Sequence, residues 1–191
     1  MRKILSKKDS EKKAKRNQLI LGVALVLVMF SSVIGYSLMG NESQGIEASL
    51  IYDGIKFTKT SGLWNVNMGD FKFSFTYNPK ETVSISSEIN LLKSYSGKPL
   101  YISSGGQESE IYRNLVYNNQ IVQRVQYACL EGEKCISEEY PIKTCENNFI
   151  IIKESETTEI KQEQNCLFIS GKEEELVKIV DSVLYKIIGI Q

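Results

Sequence analysis

Residues 71–77, Phe-Lys-Phe-Ser-Phe-Thr-Tyr, alternate aromatic and polar side chains without interruption. Successive side chains of a β-strand point to opposite faces, so this period of two predicts a strand with one buried and one solvated face. Aromatic side chains of this kind bury about 150–250 Å² each and dominate packing in protein cores. We therefore interpret the aromatic stripe as core rather than as a ligand site.

The residues before this stretch continue the same pattern. Trp64 and Val66 alternate with asparagines, and a tight turn at 68–70 would place both of them opposite the phenylalanine face. A further strand is predicted around 55–57. Together the three strands form a predicted antiparallel meander.

The C-terminal half predicts a second set of strands and two helices. Apolar residues at helical spacing, each run preceded by a capping-box pattern at Ser104/Gln107 and Ser170/Glu173, predict the two helices. We expect strands at 83–85, 99–102, 148–152, 158–161 and 166–169, and helices at 107–128 and from 173 to Gly189.

An uncharged stretch of 21 residues, 19–39, lies near the N-terminus. At 1.5 Å per residue it gives a helix of about 31 Å, enough to cross a hydrocarbon core of about 30 Å. The alternative, a cleaved signal peptide, has a shorter apolar region of about 7–15 residues. The sequence thus predicts an uncleaved, single-pass signal-anchor, and Ser31 and Gly35 in it have the small-xxx-small spacing of weak helix homodimers.

The charges around this stretch predict its orientation. Eight of the 23 basic residues lie within the first 16 residues, beside Asp9 and Glu11 only. Basic flanks remain on the cytoplasmic side of a membrane. The expected organisation is a basic cytoplasmic tail (1–18), a transmembrane helix (19–39), a linker (40–49) and an extracytoplasmic domain (50–191), at the cell membrane. The fold class is α+β: that helix followed by one domain with an antiparallel sheet (the meander plus the second strands) and two helices.

Net charge limits the partners that we expect. Residues 41–191 carry 15 basic and 21 acidic residues, a net charge of −6. An acidic domain has no basic stripe to neutralise phosphates, so nucleic acid is not an expected partner. The expected partners are the lipid bilayer and a membrane or envelope protein. Asn41 begins an N-x-S sequon, and its glycosylation is left open.

The four cysteines are Cys129, Cys135, Cys145 and Cys166. Their spacing fits neither the short pairs of redox motifs nor those of zinc sites, so we expect structural disulfides. Of the three pairings that four cysteines allow, we favour Cys145–Cys166 with Cys129–Cys135. A hairpin turning at 155–156 would place Cys145 opposite Cys166, with Ile151 meeting Ile160, although a turn at 163–165 would disturb that register.

The sequence offers little catalytic chemistry. Histidine, the commonest general base and zinc ligand, is absent. Residues 41–191 also lack G-x-S-x-G and S-x-x-K, and we expect no cofactor and no metal. The expected function is a non-catalytic, membrane-anchored accessory or binding module of the cell envelope. The alternative is an envelope enzyme acting through carboxylates that meet only in space.

Overall fold

The computed structural model describes residues 15–30, 47–103, 107–135 and 137–191. The chain divides into two units, Met1–Gly45 and Ile46–Gln191. In the first unit, residues 15–30 form helix α1. The second unit contains the sheets and three further helices.

The prediction of a transmembrane helix is wrong for the described residues, where no helix is long and apolar enough to span a membrane. The described part of helix α1, residues 15–30, corresponds to about 24 Å at 1.5 Å per residue, and its residues 15–18 are polar. The finding contradicts the single-pass topology and the cell-membrane localisation, on which the expected bilayer contact and helix homodimer depended. Residues 31–39, with Ser31 and Gly35, and the sequon at Asn41 lie outside the described residues.

The first sheet is an antiparallel meander of four strands, one more than predicted. Trp64 pairs with Phe75 and Val66 with Phe73, as the alternation predicted. The first turn, Asp53-Gly54, has positive φ at both residues, the geometry of a type I′ hairpin. The strands are β1 Ala48–Tyr52, β2 Ile55–Thr60, β3 Leu63–Met68 and β4 Phe71–Phe75.

The second sheet has five strands: β5 Pro99–Ser103, β6 Arg124–Tyr127, β9 Phe149–Glu154, β10 Glu159–Glu163 and β11 Cys166–Gly171. A separate parallel pair consists of β7 Cys129–Leu130 and β8 Ile142–Lys143. The order of the five strands is β10-β11-β9-β5-β6. Only β10 and β11 are antiparallel; β11, β9, β5 and β6 run parallel. The expected antiparallel sheet is therefore wrong here, and the fold is mixed α/β.

The long helix predicted at 107–128 is much shorter. Helix α3 (Glu108–Tyr112) continues as one π-helical segment, Arg113–Tyr117, and a turn then leads into β6. The capping box proposed at Ser170 is wrong, because Ser170 belongs to β11 and no side chain caps the following helix. Ser104 of the other proposed capping box lies outside the described residues. The other helices of this unit are α2 Leu92–Tyr95 and α4 Glu173–Ile187, and no strand forms at 83–85.

One core joins the meander, the second sheet and α4. Leu176, Val180 and Leu184 of α4 are at most 1% exposed. They belong to the same cluster as the phenylalanines of the meander and the inner residues of β5, β9 and β11. The Tyr185 ring lies 4.0 Å from that of Phe75, centroid to centroid. Helix α4 is therefore the element against which both sheets pack.

Two disulfides, Cys129–Cys135 and Cys145–Cys166, are present. These are the favoured pairs, but the hairpin argument behind them is wrong. β9 and β10 are not neighbours: Ile151 pairs with Phe168 of β11, and Ile160 pairs with Ile169. The hairpin turn lies at 164–165, between β10 and β11. Cys145–Cys166 therefore joins the segment before β9 to the start of the parallel strand β11.

Removing the two disulfides is expected to have unequal effects. The bridges are 21 and 6 residues apart in sequence, and the longer loop restricts the unfolded chain more. Replacing Cys145 and Cys166 by Ala should lower the free energy of unfolding by about 1 kcal/mol more than replacing Cys129 and Cys135. Urea unfolding of both double variants measures the difference, and equal midpoints with equal slopes would contradict it.

Candidate functional site

The π-helical segment Arg113–Tyr117 brings residues five positions apart onto one side. The Asn118 amide donates to the Arg113 carbonyl over 3.0 Å, an i to i+5 bond. Such segments are rare and are frequent at functional sites. Three features lie on or next to this segment. They are a pair of asparagines that bond to β4, a buried pair of carboxyl groups, and a groove lined by tyrosines.

The asparagines Asn114 and Asn119 cover the free edge of β4. The Asn114 side chain accepts from the Ser74 amide over 2.7 Å and donates to the Ser74 carbonyl over 2.9 Å. Asn119 makes the same two bonds with Lys72, at 2.7 and 2.9 Å. Ser74 and Lys72 are two residues apart and present their backbone groups on the same edge, so the asparagines replace a neighbouring strand.

The buried carboxyl pair is formed by Glu110 of α3 and Asp181 of α4, which are 3% and 0% exposed. Asp181 Oδ2 accepts from the Tyr77 amide over 2.8 Å. Glu110 accepts from the Thr76 hydroxyl at 3.1 Å and forms an ion pair with Arg113 at 2.7 Å. The pair thus connects both helices to the chain immediately after β4.

Burial raises the pKa of Asp181 to about 8, and the neighbouring Glu110 acts in the same direction. The backbone amides of Tyr77 and Thr76 oppose the shift. When two carboxyl groups are buried side by side, ionising both costs free energy, because like charges repel and neither is solvated. At neutral pH Asp181 is therefore protonated, and Glu110 beside it keeps its ion pair with Arg113.

Arg113 also lines a groove on the outer side of α3. We call this the tyrosine groove; it has a volume of about 620 Å³. The Tyr112 and Tyr117 rings stack at its edge with centroids 6.0 Å apart, which the five-residue spacing permits. Tyr117 is 76% exposed. The lining residues are Glu108, Ser109, Tyr112, Arg113, Tyr117 and Tyr127.

Glu108 fixes the position of Tyr127 at the groove. Its Oε1 accepts from the Tyr127 hydroxyl over 2.8 Å. This bond, with burial and the carboxylate charge, raises the pKa of Tyr127 to about 12. The pKa of Tyr112 is also raised, by burial first and then by Tyr117 and Glu108. Tyr127 in turn stacks on Tyr140 with centroids 5.6 Å apart, so the aromatic surface extends beyond the groove.

Another depression lies on the outer face of the second sheet, next to Phe168. Its two lysines are already paired: Lys153 with Glu133 at 2.6 Å, and Lys161 with Glu163. The charge of this depression is therefore balanced within the protein. It provides a weaker site than the tyrosine groove.

The cysteines singled out from the sequence are paired as disulfides and do not line the tyrosine groove. Among the described residues, no group of three or more His, Cys, Asp or Glu side chains could hold a metal ion. The groove was missed because a helical period of 3.6 does not align residues five apart, and Glu110 was missed because its neighbour Asp181 lies on a distant helix. The sequence did contain a sign that Asp181 is buried. Its side chain lies on the same row of α4 as those of Val177 and Leu184, which are both apolar.

Comparisons of the chain with protein-family models, with curated proteins and with solved structures found no match. The geometry of the described residues is therefore the basis of the functional proposal.

Proposed function

We propose that residues 47–191 form a non-catalytic, disulfide-braced binding module that recognises a protein partner through the tyrosine groove. The observation that carries the proposal is the exposed aromatic surface on the π-helical segment, with Tyr117 76% exposed. Tyrosine and arginine are enriched at the energetic centres of protein interfaces. The groove combines both residue types at one concave site.

The rigid support behind the groove favours the same function. Asn114 and Asn119 attach the segment to β4, and Glu110 attaches it to α4 through Asp181. Because these side chains fix the backbone, little conformational entropy is lost when a partner binds. The two disulfides are typical of proteins that work in an oxidising compartment, and we place the module there.

Burial of the carboxyl pair argues against the enzyme alternative. A general acid and base must reach the substrate within hydrogen-bonding distance. Glu110 and Asp181 are 3% and 0% exposed, and their oxygens bond to Thr76, Tyr77 and Arg113. The pair therefore supports the helix packing rather than a reaction.

Photocrosslinking tests the proposed function. A benzoylphenylalanine placed at Tyr117 in the native host should give one discrete adduct, and the same probe at Phe168, on the outer face of the second sheet, should not. With the crosslinked protein purified, Tyr117→Ala should weaken its binding at least tenfold, as expected for an aromatic residue at the centre of an interface. Equal adducts at both positions, or unchanged affinity, would contradict the proposal.

A further inference from the structure

Two cationic side chains surround one tyrosine on the outer face of the second sheet. Tyr101 of β5 and Phe149 of β9 belong to a small apolar cluster separate from the main core, on the face opposite α4. Tyr101 pairs with Gln126 of β6, so Arg124, two residues earlier, lies on the same face. The Nζ atom of Lys143, from β8, lies 4.8 Å from the centroid of the Tyr101 ring.

The charges of these two cations are not balanced by carboxylates. Among the described residues, no ion pair includes Arg124 or Lys143, in contrast to the two lysines of the depression near Phe168. The neighbouring Arg124 lowers the pKa of Tyr101, against the opposing effect of burial, and Lys143 acts in the same direction as Arg124. The electrostatic potential at the phenol oxygen is therefore positive.

The acidic character of the domain does not cancel this local potential. Residues 41–191 have a net charge of −6, but those charges are distributed over the whole surface. The Debye length is about 8 Å at physiological ionic strength, so distant exposed charges are screened while the nearest ones dominate. An anion at this position therefore interacts mainly with Arg124 and Lys143.

The three side chains have more hydrogen-bond donors than they can use among themselves. A guanidinium and an ammonium each carry several N–H donors, whereas a phenol oxygen accepts few hydrogen bonds and donates one of its own. The donors come from β5, β6 and β8, so they approach from different directions. A tetrahedral oxyanion presents oxygens in several directions and carries up to two charges, whereas a carboxylate has two coplanar oxygens and one charge.

We propose that Tyr101, Arg124 and Lys143 form a binding site for a phosphate or sulfate group on the outer face of the second sheet. Arg124 is exposed and Lys143 is half-buried, so the oxyanion reaches both cations from solvent. Tyr101 is only 5% exposed, and its packing fixes the phenol between them. The site shares no residue with the tyrosine groove and does not depend on the proposed function.

Titration of the full chain with sodium phosphate at constant ionic strength, followed by amide chemical shifts, tests the proposal. Residues 99–101, 124–126 and 142–143 should shift along a saturating curve. These site-resolved shifts separate the site from the basic residues at 1–16. Phosphate should also raise the pKa of Tyr101, followed by NMR of its labelled ring, because a bound anion offsets the two cations.

Two further anions define the chemistry of the group that is bound. Sodium sulfate should shift the same residues and compete with phosphate, because both ions are tetrahedral. The tighter of the two identifies the group that the site prefers. Sodium acetate, with a planar carboxylate and a single charge, should bind at least fivefold more weakly than either.

Arg124→Gln is the decisive variant, because it removes the charge at an exposed position where the fold does not depend on it. It should weaken phosphate binding at least fivefold, as should Lys143→Gln. Lys161→Gln is the matched control: it removes the same charge from the same sheet, where the lysine is already paired with Glu163. That variant should change the affinity by less than twofold. Tyr101→Phe keeps the ring, and should bind phosphate more weakly than wild type.

Equal phosphate affinity of wild type and Arg124→Gln, or shifts that saturate only outside the three segments, would overturn the proposal. Acetate binding as tight as phosphate binding would also overturn it, because the site would then be a carboxylate site. None of these results affects the crosslink expected at Tyr117, so the proposed function is tested separately.

Discussion

Replacing Asn114 by Ala is expected to lower the free energy of unfolding by about 3 kcal/mol, because it leaves buried backbone groups of β4 without partners. Asn114 is 0% exposed and satisfies the amide and the carbonyl of Ser74, which is itself only 6% exposed. Water cannot replace those bonds at a buried edge. The loss also frees the π-helical segment, because the same side chain donates to the Glu110 carbonyl over 3.0 Å.

Asn119→Ala is the matched control, because Asn119 makes the same two bonds at Lys72, where the strand edge is exposed to solvent. Water can replace them there, so the cost should stay below about 1 kcal/mol. Chemical denaturation of both variants measures the difference. If both variants lose the same unfolding free energy, Asn114 does not act through the edge of β4. Asn114→Asp should be as damaging as Ala, because a carboxylate cannot donate to the Ser74 carbonyl.

The sequence predicted those parts of the fold that follow from local periodicity. The alternation at 71–77 gave β4, and the register with β3 followed from the short turn at Gly69. The apolar stripe of α4 was equally local, because its residues recur at helical spacing. Both elements depend on neighbours only a few residues away, so the pattern and the packing coincide.

The order of the second sheet could not be predicted in the same way. β9 and β10 follow each other in sequence, yet β11 lies between them. Ile150, Ile151 and Ile152 are all buried, because both faces of β9 are covered. A continuous apolar strand of this kind carries no information on register or direction. The sequence signal that disagreed with the predicted hairpin was the turn at 163–165, which the structure contains.

The candidate site could not be predicted from the sequence, for a related reason. Within an ordinary α-helix, Asn114 and Asn119 or Tyr112 and Tyr117 would not share a side. Only the π-helical segment aligns each pair, and β4 stabilises it through contacts about 40 residues away in sequence. The site therefore depends on tertiary structure that no local pattern encodes. A carboxylate in an apolar helix row, as at Asp181, is the one feature that points to it.

The protonation of Asp181 should make stability fall as pH rises. Its pKa is about 8 in the folded protein and about 4 in an unfolded chain, so between these values the folded state binds more protons. Stability from this group is therefore complete below about pH 4 and is lost as pH rises toward 8. Above that pH, Asp181 would carry a charge in the core beside Glu110, and the single guanidinium of Arg113 is already paired with Glu110.

Asp181→Asn tests this account, because the amide oxygen can still accept from the Tyr77 amide while the side chain never gains charge. Relative to wild type, the variant should gain about 2–3 kcal/mol of unfolding free energy between pH 5 and pH 8. Asp70→Asn, in an exposed turn of the meander, should show no such trend. The difference between variant and wild type cancels the other titrating groups, so urea unfolding at each pH isolates Asp181. A difference that does not change with pH would mean that Asp181 is already ionised at neutral pH, and that Arg113 alone neutralises the pair.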